Sequence, residues 1–356
     1  MRRVIPPALA VAIVVLLGAP ALATISSSPT PGVWGTNGRI RAVLQLGSVT
    51  YVGGSFTEAI SPDGMQTLPR ANLMALDAYG VPTSWNPGAN NLVLALASDG
   101  TYIYVGGKFT DIGKRVAKIS TAGVVQPFAI ANDEVRSLSI VGSRLYAAGD
   151  FTKIAGVYRS YLAALSTTNG SFDSTFAPSV DGFVYGAKPF SNGNLLIGGL
   201  FTHVDGTSTG TAAIVTPTGT LGPALFSPPT DKVLTVSTSG SQGVLGVAGS
   251  GNAAIAYADT GSKLWRVGCN GDIQAATFAN AQWIIGGHFG TCLGLNARKI
   301  AAITAGGSLD TSWRPNVKGT HGIWTLGATS STLYAGGDFD QIDSQLTPHL
   351  AEWAIT

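Results

Sequence analysis

The acidic side chains of this chain are the first candidates for chemistry. Five of them stand just before predicted inner strands: Asp133, Glu134, Asp181, Asp231 and Asp272. If the fold gathers them around one opening, such carboxylates could bind a cation or a sugar, or act as acid and base. Asp is also a common turn residue, and we favour solvated turns as the explanation. These five residues form the candidate ligand face, and we predict no catalytic residue among them.

The histidines and the remaining acids give no recognised metal or nucleophile motif. His203, His288, His321 and His349 are scattered along the chain, without the His-Glu-x-x-His spacing of a zinc enzyme. Asp338 and Asp340 lack the further acids that a calcium loop needs. No Gly-x-Ser-x-Gly elbow is present. We therefore predict no metal site and no cofactor.

The chain contains two cysteines, Cys269 and Cys292. In an exported protein a single pair predicts one disulfide, and the alternative is two buried free thiols. Both cysteines fall in loops that a four-stranded repeat unit would place on the same face. This agreement favours the disulfide.

The first 23 residues have the order of a secretory signal peptide. Arg2 and Arg3 precede an apolar run, which ends at the small-residue site Ala21-Leu22-Ala23. We predict cleavage there, a short linker at residues 24–32, one domain at residues 33–356, and a secreted or surface-associated product without a membrane span. An uncleaved anchor is the alternative, although the apolar run is short for one.

Cleavage would also change the charge balance. The full chain has 21 Lys and Arg against 19 Asp and Glu, and the leader removes two of the arginines. The remaining chain is close to neutral and has no basic run, whereas a nucleic-acid-binding protein needs a basic excess to replace phosphate counterions. The sequence therefore predicts no nucleic-acid partner.

A repeated aromatic motif organises the rest of the chain. Tyr51-Val-Gly-Gly-Ser-Phe56-Thr is the first copy, and the copies share Gly-Gly-x-Phe or a close variant of it. The repeat phenylalanines are Phe56, Phe109, Phe151, Phe201, Phe289 and Phe339. A seventh, decayed copy lies at Gly246–Gly251, where we align Gly251 with the phenylalanine. Seven units result.

Each unit reads as four short strands. An alternating run such as Ile40-Arg-Ala-Val-Leu begins 16 residues before its phenylalanine, and the fixed interval indicates a hairpin. A third strand follows, and then a fourth with an aromatic residue and often a proline, which suits an edge. We predict an all-β, seven-bladed propeller with four-stranded blades, in which an N-terminal strand at Val33–Trp34 closes the last blade. An open solenoid is the rival architecture.

The Gly-Gly-x-Phe-Thr copies, with the related runs Gly170–Phe176 and Gly307–Trp313, resemble the delta-60 repeat family of exported bacterial β-propellers. The resemblance covers nearly the whole chain after the leader, and the fifth unit departs from it. It implies a propeller and a surface location, with no assigned catalytic residues. The repeat phenylalanines are expected to fill the gaps between blades.

Three functions remain open from the sequence. The favoured one is a monomeric, non-enzymatic binding or scaffold module for an unidentified protein or glycan outside the cell. The second is a propeller hydrolase or lyase that acts on a glycan or lactone through acids at the channel mouth. The third is a calcium-stabilised structural domain.

Overall fold

A computed structural model describes residues 24–356, and the predicted signal peptide lies outside the described residues. These residues form only strands, turns and loops, arranged as seven antiparallel blade sheets around a central channel, with five small accessory sheets in the loops. The prediction of an all-β, seven-bladed propeller is confirmed. Between Thr24 and Thr356 there is no helix long and apolar enough to cross a membrane.

Each blade begins with its innermost strand and continues outward. Blade 1 contains Arg39–Leu46, Val49–Ser55 and Leu73–Leu76; blade 2 Val93–Ser98, Tyr102–Gly107, Val116–Ser120 and Val125–Gln126; blade 3 Val135–Val141, Arg144–Gly149 and Leu162–Ser166; blade 4 Val184–Pro189, Leu195–Gly199 and Ala212–Val215; blade 5 Lys232–Ser239, Gln242–Ala248, Ala253–Ala258 and Lys263–Gly268; blade 6 Ile273–Ala279, Gln282–Gly287 and Ile300–Ile303; blade 7 Gly322–Ala328, Thr332–Asp338 and Leu350–Ala354.

Short accessory strands lie in the loops on one face of the ring. They pair the chain entering a blade with the loop between its second and third strands, or form a small hairpin within that loop. They are Gly35–Thr36, Glu58–Ile60 and Thr67–Pro69; Lys153–Ile154 and Val157–Tyr158; His203–Val204 and Thr207–Ser208; Thr291–Cys292 and Leu295–Asn296; Val317–Lys318, Gln341–Ile342 and Gln345–Leu346.

The fourth strand is the least regular part of the blades. It is a regular paired strand in blades 2 and 5, whereas in blades 1, 3, 4 and 6 it is reduced to a single β-bridge, such as Leu76–Pro82. Beyond this segment the chain passes to the next blade, where its aromatic residue packs. Trp85, which follows the fourth segment of blade 1, donates its indole N–H to the Ser120 carbonyl of blade 2 at 3.0 Å.

The first glycine of each Gly-Gly pair permits close contact between blades. A Cβ on Gly53 would collide with the Val93 side chain of blade 2, and one on Gly336 would collide with Ile40 across the ring seam. Both of these β-branched residues are fully buried. The inner strands can therefore approach their neighbours only where the facing residue is small.

The repeat phenylalanines lie in apolar clusters shared by adjacent blades. Phe151 of blade 3 packs in one cluster with Tyr104 and Val116 of blade 2. Phe339 of blade 7 shares a cluster with Ile284 and Ile300 of blade 6. Each of the six phenylalanines is at most 3% exposed.

The N-terminal segment closes the ring at blade 7, as predicted, but at a different position. Ile25 bridges Ile355, and the Thr24 amide donates to the Thr356 carbonyl at 2.7 Å. The closing strand therefore lies in the segment assigned to a linker, not at Val33–Trp34. Trp34 is equivalent to Trp85: it follows the fourth strand and bonds the next blade, through its amide and the Gly80 carbonyl.

Blade 5 corrects the alignment of the decayed repeat. Gly246 pairs with Thr235 as Gly53 pairs with Ala42, which makes Gly249, not Gly251, the counterpart of the phenylalanine. The loop from Gly249 to Asn252 then leads directly into the third strand. The alignment made from sequence matched similar residues within a glycine-rich stretch, and it misplaced the phenylalanine position by two residues.

Candidate functional site

A β-bulge interrupts the inner strand of every blade directly after the first buried apolar residue of that strand. In blade 1 the pairing shifts between Ile40 and Ala42, which leaves Arg41 unpaired with the neighbouring strand. A bulged residue is turned out of the regular alternation, and here the seven of them all line the central channel. From blade 1 to blade 7 this bulge ring consists of Arg41, Leu94, Arg136, Tyr185, Leu234, Gln274 and Trp324.

The bulge ring surrounds a cavity of about 520 Å³. Lys188, Lys232 and several Ser and Thr side chains complete its polar lining. Of the described residues that line this cavity, none is Asp or Glu. The channel is thus a basic and aromatic site, and its volume lies in the range of small-molecule sites.

Arg41 and Trp324 are neighbours across the ring seam. The guanidinium carbon of Arg41 lies 3.6 Å from the centre of the Trp324 ring, in a cation–π contact. Burial, followed by repulsion from Arg39 and Arg136, lowers the pKa of Arg41 to about 10, so it remains charged at neutral pH. Among residues 24–356 no side chain or carbonyl accepts a hydrogen bond from Arg41, and its buried Nε has no partner.

Arg136, two positions along the bulge ring, is in a different electrostatic situation. It makes two 2.7 Å hydrogen bonds to the Asp150 carboxylate and an ion pair of 2.7 Å with Glu134. Lys108 also pairs with Glu134. Two cations thus meet two carboxylates, and the group is neutral. It holds Arg136 in place, 4.8 Å from the centre of the Tyr185 ring.

Two lysines add charge to the cavity without a paired acid. The Lys188 ammonium donates to the Leu138 carbonyl at 2.9 Å, and burial lowers its pKa to about 8. Lys232 forms no ion pair with the described residues. Together with Arg41 they are the cavity cations that no carboxylate neutralises.

The predicted ligand-face acids are spread over four blade entrances. Asp181 accepts hydrogen bonds from the amides of Thr202 and His203, and its carboxylate lies 3.0 Å from the His203 ring. Burial opposes the effect, but these donors bring the pKa of Asp181 well below its usual value. Asp231 accepts from the Gly251 amide at 2.7 Å. Both acids thus fasten a blade entrance to the loop between its second and third strands.

Asparagine forms the same clamp in other blades. Asn132, for example, accepts from the amides of Thr152 and Lys153, both at 2.9 Å. Because a neutral amide oxygen supports the same contacts, the carboxylates of Asp181 and Asp231 act locally as loop clamps.

The remaining three acids also lie outside the cavity lining. Glu134 belongs to the neutral group around Arg136, Asp133 is exposed and bonds the Glu134 amide, and Asp272 is half-buried. The structure does not gather the five acids, and in residues 24–356 no three His, Cys, Asp or Glu side chains form a metal-binding group.

A histidine–carboxylate pair lies beside the seam. His321 Nδ1 is 2.5 Å from an Asp338 oxygen, to which Arg39 Nε also donates at 3.1 Å. Burial would raise the pKa of Asp338, but the His321 hydrogen bond and the charge of Arg39 bring it below its usual value. Asp338 is therefore engaged by two partners and does not pair with Arg41.

Cys269 and Cys292 form a disulfide, as predicted. It joins the connection that leaves blade 5 to the small hairpin of blade 6, and the two cysteines also form a backbone bridge. The prediction that both loops lie on one face is thereby confirmed.

The bulge ring was missed from the sequence, although a signal for it exists. The second residue of each inner run changes from Arg to Leu, Tyr, Gln or Trp, while its neighbours remain small or β-branched. Variation at one position of an otherwise repeated strand indicates a position that packing does not constrain. The prediction from sequence treats side chains as alternating regularly along each inner strand. Because this pattern does not include the bulge, it gives no reason to place these side chains in the channel.

Comparisons with known proteins agree with the fold. Residues 143–176 match the model of a β-propeller domain of unknown function, DUF5122. No curated protein matches the chain.

Three solved propellers are similar in structure over almost the whole chain. The computationally designed Ika8 protein is 14% identical with a TM-score of 0.58, and covers 92% of this chain and 99% of its own. The WD40 propeller domain of Doa1 is 11% identical with a TM-score of 0.61, and covers 93% and 97%. U3-55K is 14% identical with a TM-score of 0.61, and covers 94% and 100%. At these identities the likeness shows the fold alone.

Proposed function

We propose that this protein is an exported, non-enzymatic binding propeller of the delta-60 repeat type, which takes its ligand at the bulge ring. The observation that carries the proposal is the convergence of seven bulged side chains on one cavity. Strand pairing and blade packing do not need these side chains, since they stand outside the ladders. A surface freed from structural constraint in this way is suited to recognition.

The composition of the cavity favours binding over hydrolysis. A glycan hydrolase needs two carboxyl groups that face each other across the substrate. None of the described acids lines the cavity, and among the candidate acids Glu134 is held in an ion pair while Asp181 and Asp231 are held in loop clamps. The calcium-stabilised alternative likewise lacks support from a group of acids.

The N-terminal sequence supports export. If the leader is removed at Ala23, the secreted form begins at Thr24, which is the first residue of the closing strand. N-terminal sequencing of the exported product should find Thr24 first. An intact leader on the mature protein would contradict this part of the proposal.

A pair of substitutions in blade 5 tests the ligand site. Leu234 lies in the bulge ring, whereas Leu264 lies on the outermost strand of the same blade and is 42% exposed. Leu234→Trp should obstruct the cavity and abolish binding to a panel of soluble polysaccharides, measured by calorimetry. Leu264→Trp adds the same bulk outside and should leave binding unchanged.

Product analysis separates binding from catalysis. The same polysaccharides, incubated with the protein and examined by chromatography, should be recovered intact. Release of shorter products that stops in Glu134→Gln would establish the hydrolase instead. Binding that survives Leu234→Trp would move the ligand site away from the channel.

A further inference from the structure

The charges of the cavity are not balanced by its own residues. Arg41, Lys188 and Lys232 are the basic side chains of the lining that form no ion pair with the described residues. Arg136, in the same cavity, shows the contrast, because Asp150 and Glu134 neutralise it. Cations held together in a partly desolvated site repel one another, and a bound anion relieves this repulsion.

The cavity also has an excess of hydrogen-bond donors. The terminal nitrogens of Arg41 bond no described residue and are not covered by other atoms, so they are accessible donors, whereas Arg41 Nε and Trp324 Nε1 lack a partner but are buried. Gln274 Oε1 is the one orphaned acceptor in the lining. A cavity rich in unpaired donors is complemented by a ligand rich in acceptors, and a carboxylate or phosphate group has acceptors only.

The position of Arg41 suits such a contact. Its guanidinium carbon lies 3.6 Å from the centre of the Trp324 ring, a contact that restricts the side chain, and its terminal nitrogens bond no described residue. Because the side chain is already held in place, less entropy is lost when an anion binds. The cavity, at about 520 Å³, is much larger than one oxyanion, so there is room for an organic body beside the anionic group.

We propose that the bulge ring binds a small organic ligand through an oxyanion group, with Arg41 as the main contact and Lys188 and Lys232 as supporting charges. This inference rests on the proposed binding function and specifies the chemistry of its ligand. The oxyanion can be the carboxylate of an acidic sugar or a phosphate group, since both offer the same acceptors.

Calorimetry at low ionic strength with three probes tests the inference. Glucuronate carries a carboxylate, inorganic phosphate supplies the other oxyanion, and glucose is the neutral match for glucuronate. Glucuronate or phosphate should bind at least about tenfold more tightly than glucose, and the tighter of the two identifies the source. Added salt should weaken the binding, because it screens the cavity charges.

Substitutions assign the effect to the cavity. Arg41→Gln should weaken oxyanion binding at least about tenfold, and Lys232→Gln should weaken it less. Arg314→Gln removes one arginine from an exposed site outside the cavity lining and should change the affinity less than about twofold. Melting temperatures close to that of the unaltered protein would show that each variant is folded.

Two results would overturn the inference without removing the binding function. The first is glucose binding as tightly as glucuronate, with no effect of Arg41→Gln. The second is a failure of both oxyanions to bind while polysaccharide binding still depends on Leu234. Failure of the proposed function is distinguishable, because then Leu234→Trp would have no effect on any ligand.

Discussion

Blades 5 and 7 depart from the repeat in opposite ways. Blade 5 has lost the phenylalanine and the long loop after it, yet its four strands are contiguous from Lys232 to Gly268 and are among the longest in the ring. Blade 7 keeps the motif with Phe339, but it takes its fourth strand from the other end of the chain. The motif is therefore not what forms a blade.

The difference separates two roles within the repeat. Strand pairing depends on the alternation of apolar and polar residues and continues in blade 5 without the motif. The motif glycine and phenylalanine instead determine how adjacent blades pack. Blade 5 keeps the glycine contact between blades, with Gly246 facing Ile273 of blade 6. Beyond that contact the disulfide fastens its exit.

The largest expected effect comes from removing the motif aromatic in blade 7. Phe339 is 1% exposed in a cluster shared with blade 6, so Phe339→Ala should lower the free energy of unfolding by about 3–5 kcal/mol. Urea denaturation measures the loss. Phe339→Leu, which refills part of the volume, should lose clearly less. Equal stability of the alanine variant would show that blade 7, like blade 5, does not need the aromatic.

Removing the disulfide tests what replaces the motif beside blade 5. The bond closes a loop with a sequence separation of 23 residues, so Cys269→Ala with Cys292→Ala should cost about 3 kcal/mol in the chain-entropy model. Urea denaturation is again the measurement, and the unaltered protein in reductant is the control. No loss in either would mean that blade 5 is held by its strand pairing alone.

The smallest effect concerns one position in the third strand. Glu352 of blade 7 corresponds to the buried Ala256 of blade 5, since each faces the residue two before the first motif glycine. Burial raises the pKa of Glu352 from its usual 4.5 to about 7. The folded protein holds this proton more tightly than the unfolded chain, so the stabilising contribution of the protonated group is lost as pH rises from about 4.5 to about 7.

Substitution should therefore help blade 7 only at higher pH. At pH 8 Glu352→Ala should raise the free energy of unfolding by about 1–3 kcal/mol, and at pH 4 the gain should disappear. Thermal melts at the two pH values, with Glu352→Gln as the isosteric control, measure the change. A gain that is equal at both pH values would show that packing, not ionisation, is responsible.

Much of this architecture can be predicted from the sequence because it depends on local patterns. The 16-residue interval from Ile40 to Phe56 fixes a hairpin, and the permuted order of strands indicates closure at the N-terminus. The same interval, applied from Val233, identifies Gly249 as the motif position and would have avoided the error in blade 5.

The ligand cavity could not be predicted in the same way. Its side chains come from seven separated strands, and a bulge changes the face on which each of them lies. The prediction that the acids form a ligand face used residue type alone, whereas their role in the structure depends on the hydrogen bonds that they accept. Asp181 and Asp231 hold loops in positions where other blades use asparagine.

The seam between the two ends of the chain also has a consequence for the order of folding. Thr24 and Thr356 are 332 residues apart and bond each other in the finished ring. Every other blade is built from a contiguous stretch and can assemble as its own residues are synthesised. Blade 7 combines the first and the last strands of the propeller, so it can be completed only when the whole domain has been synthesised. The earliest residues of the propeller are thus the last to find their partners, and until then the edge at Leu350–Ala354 is the place where a second chain could pair.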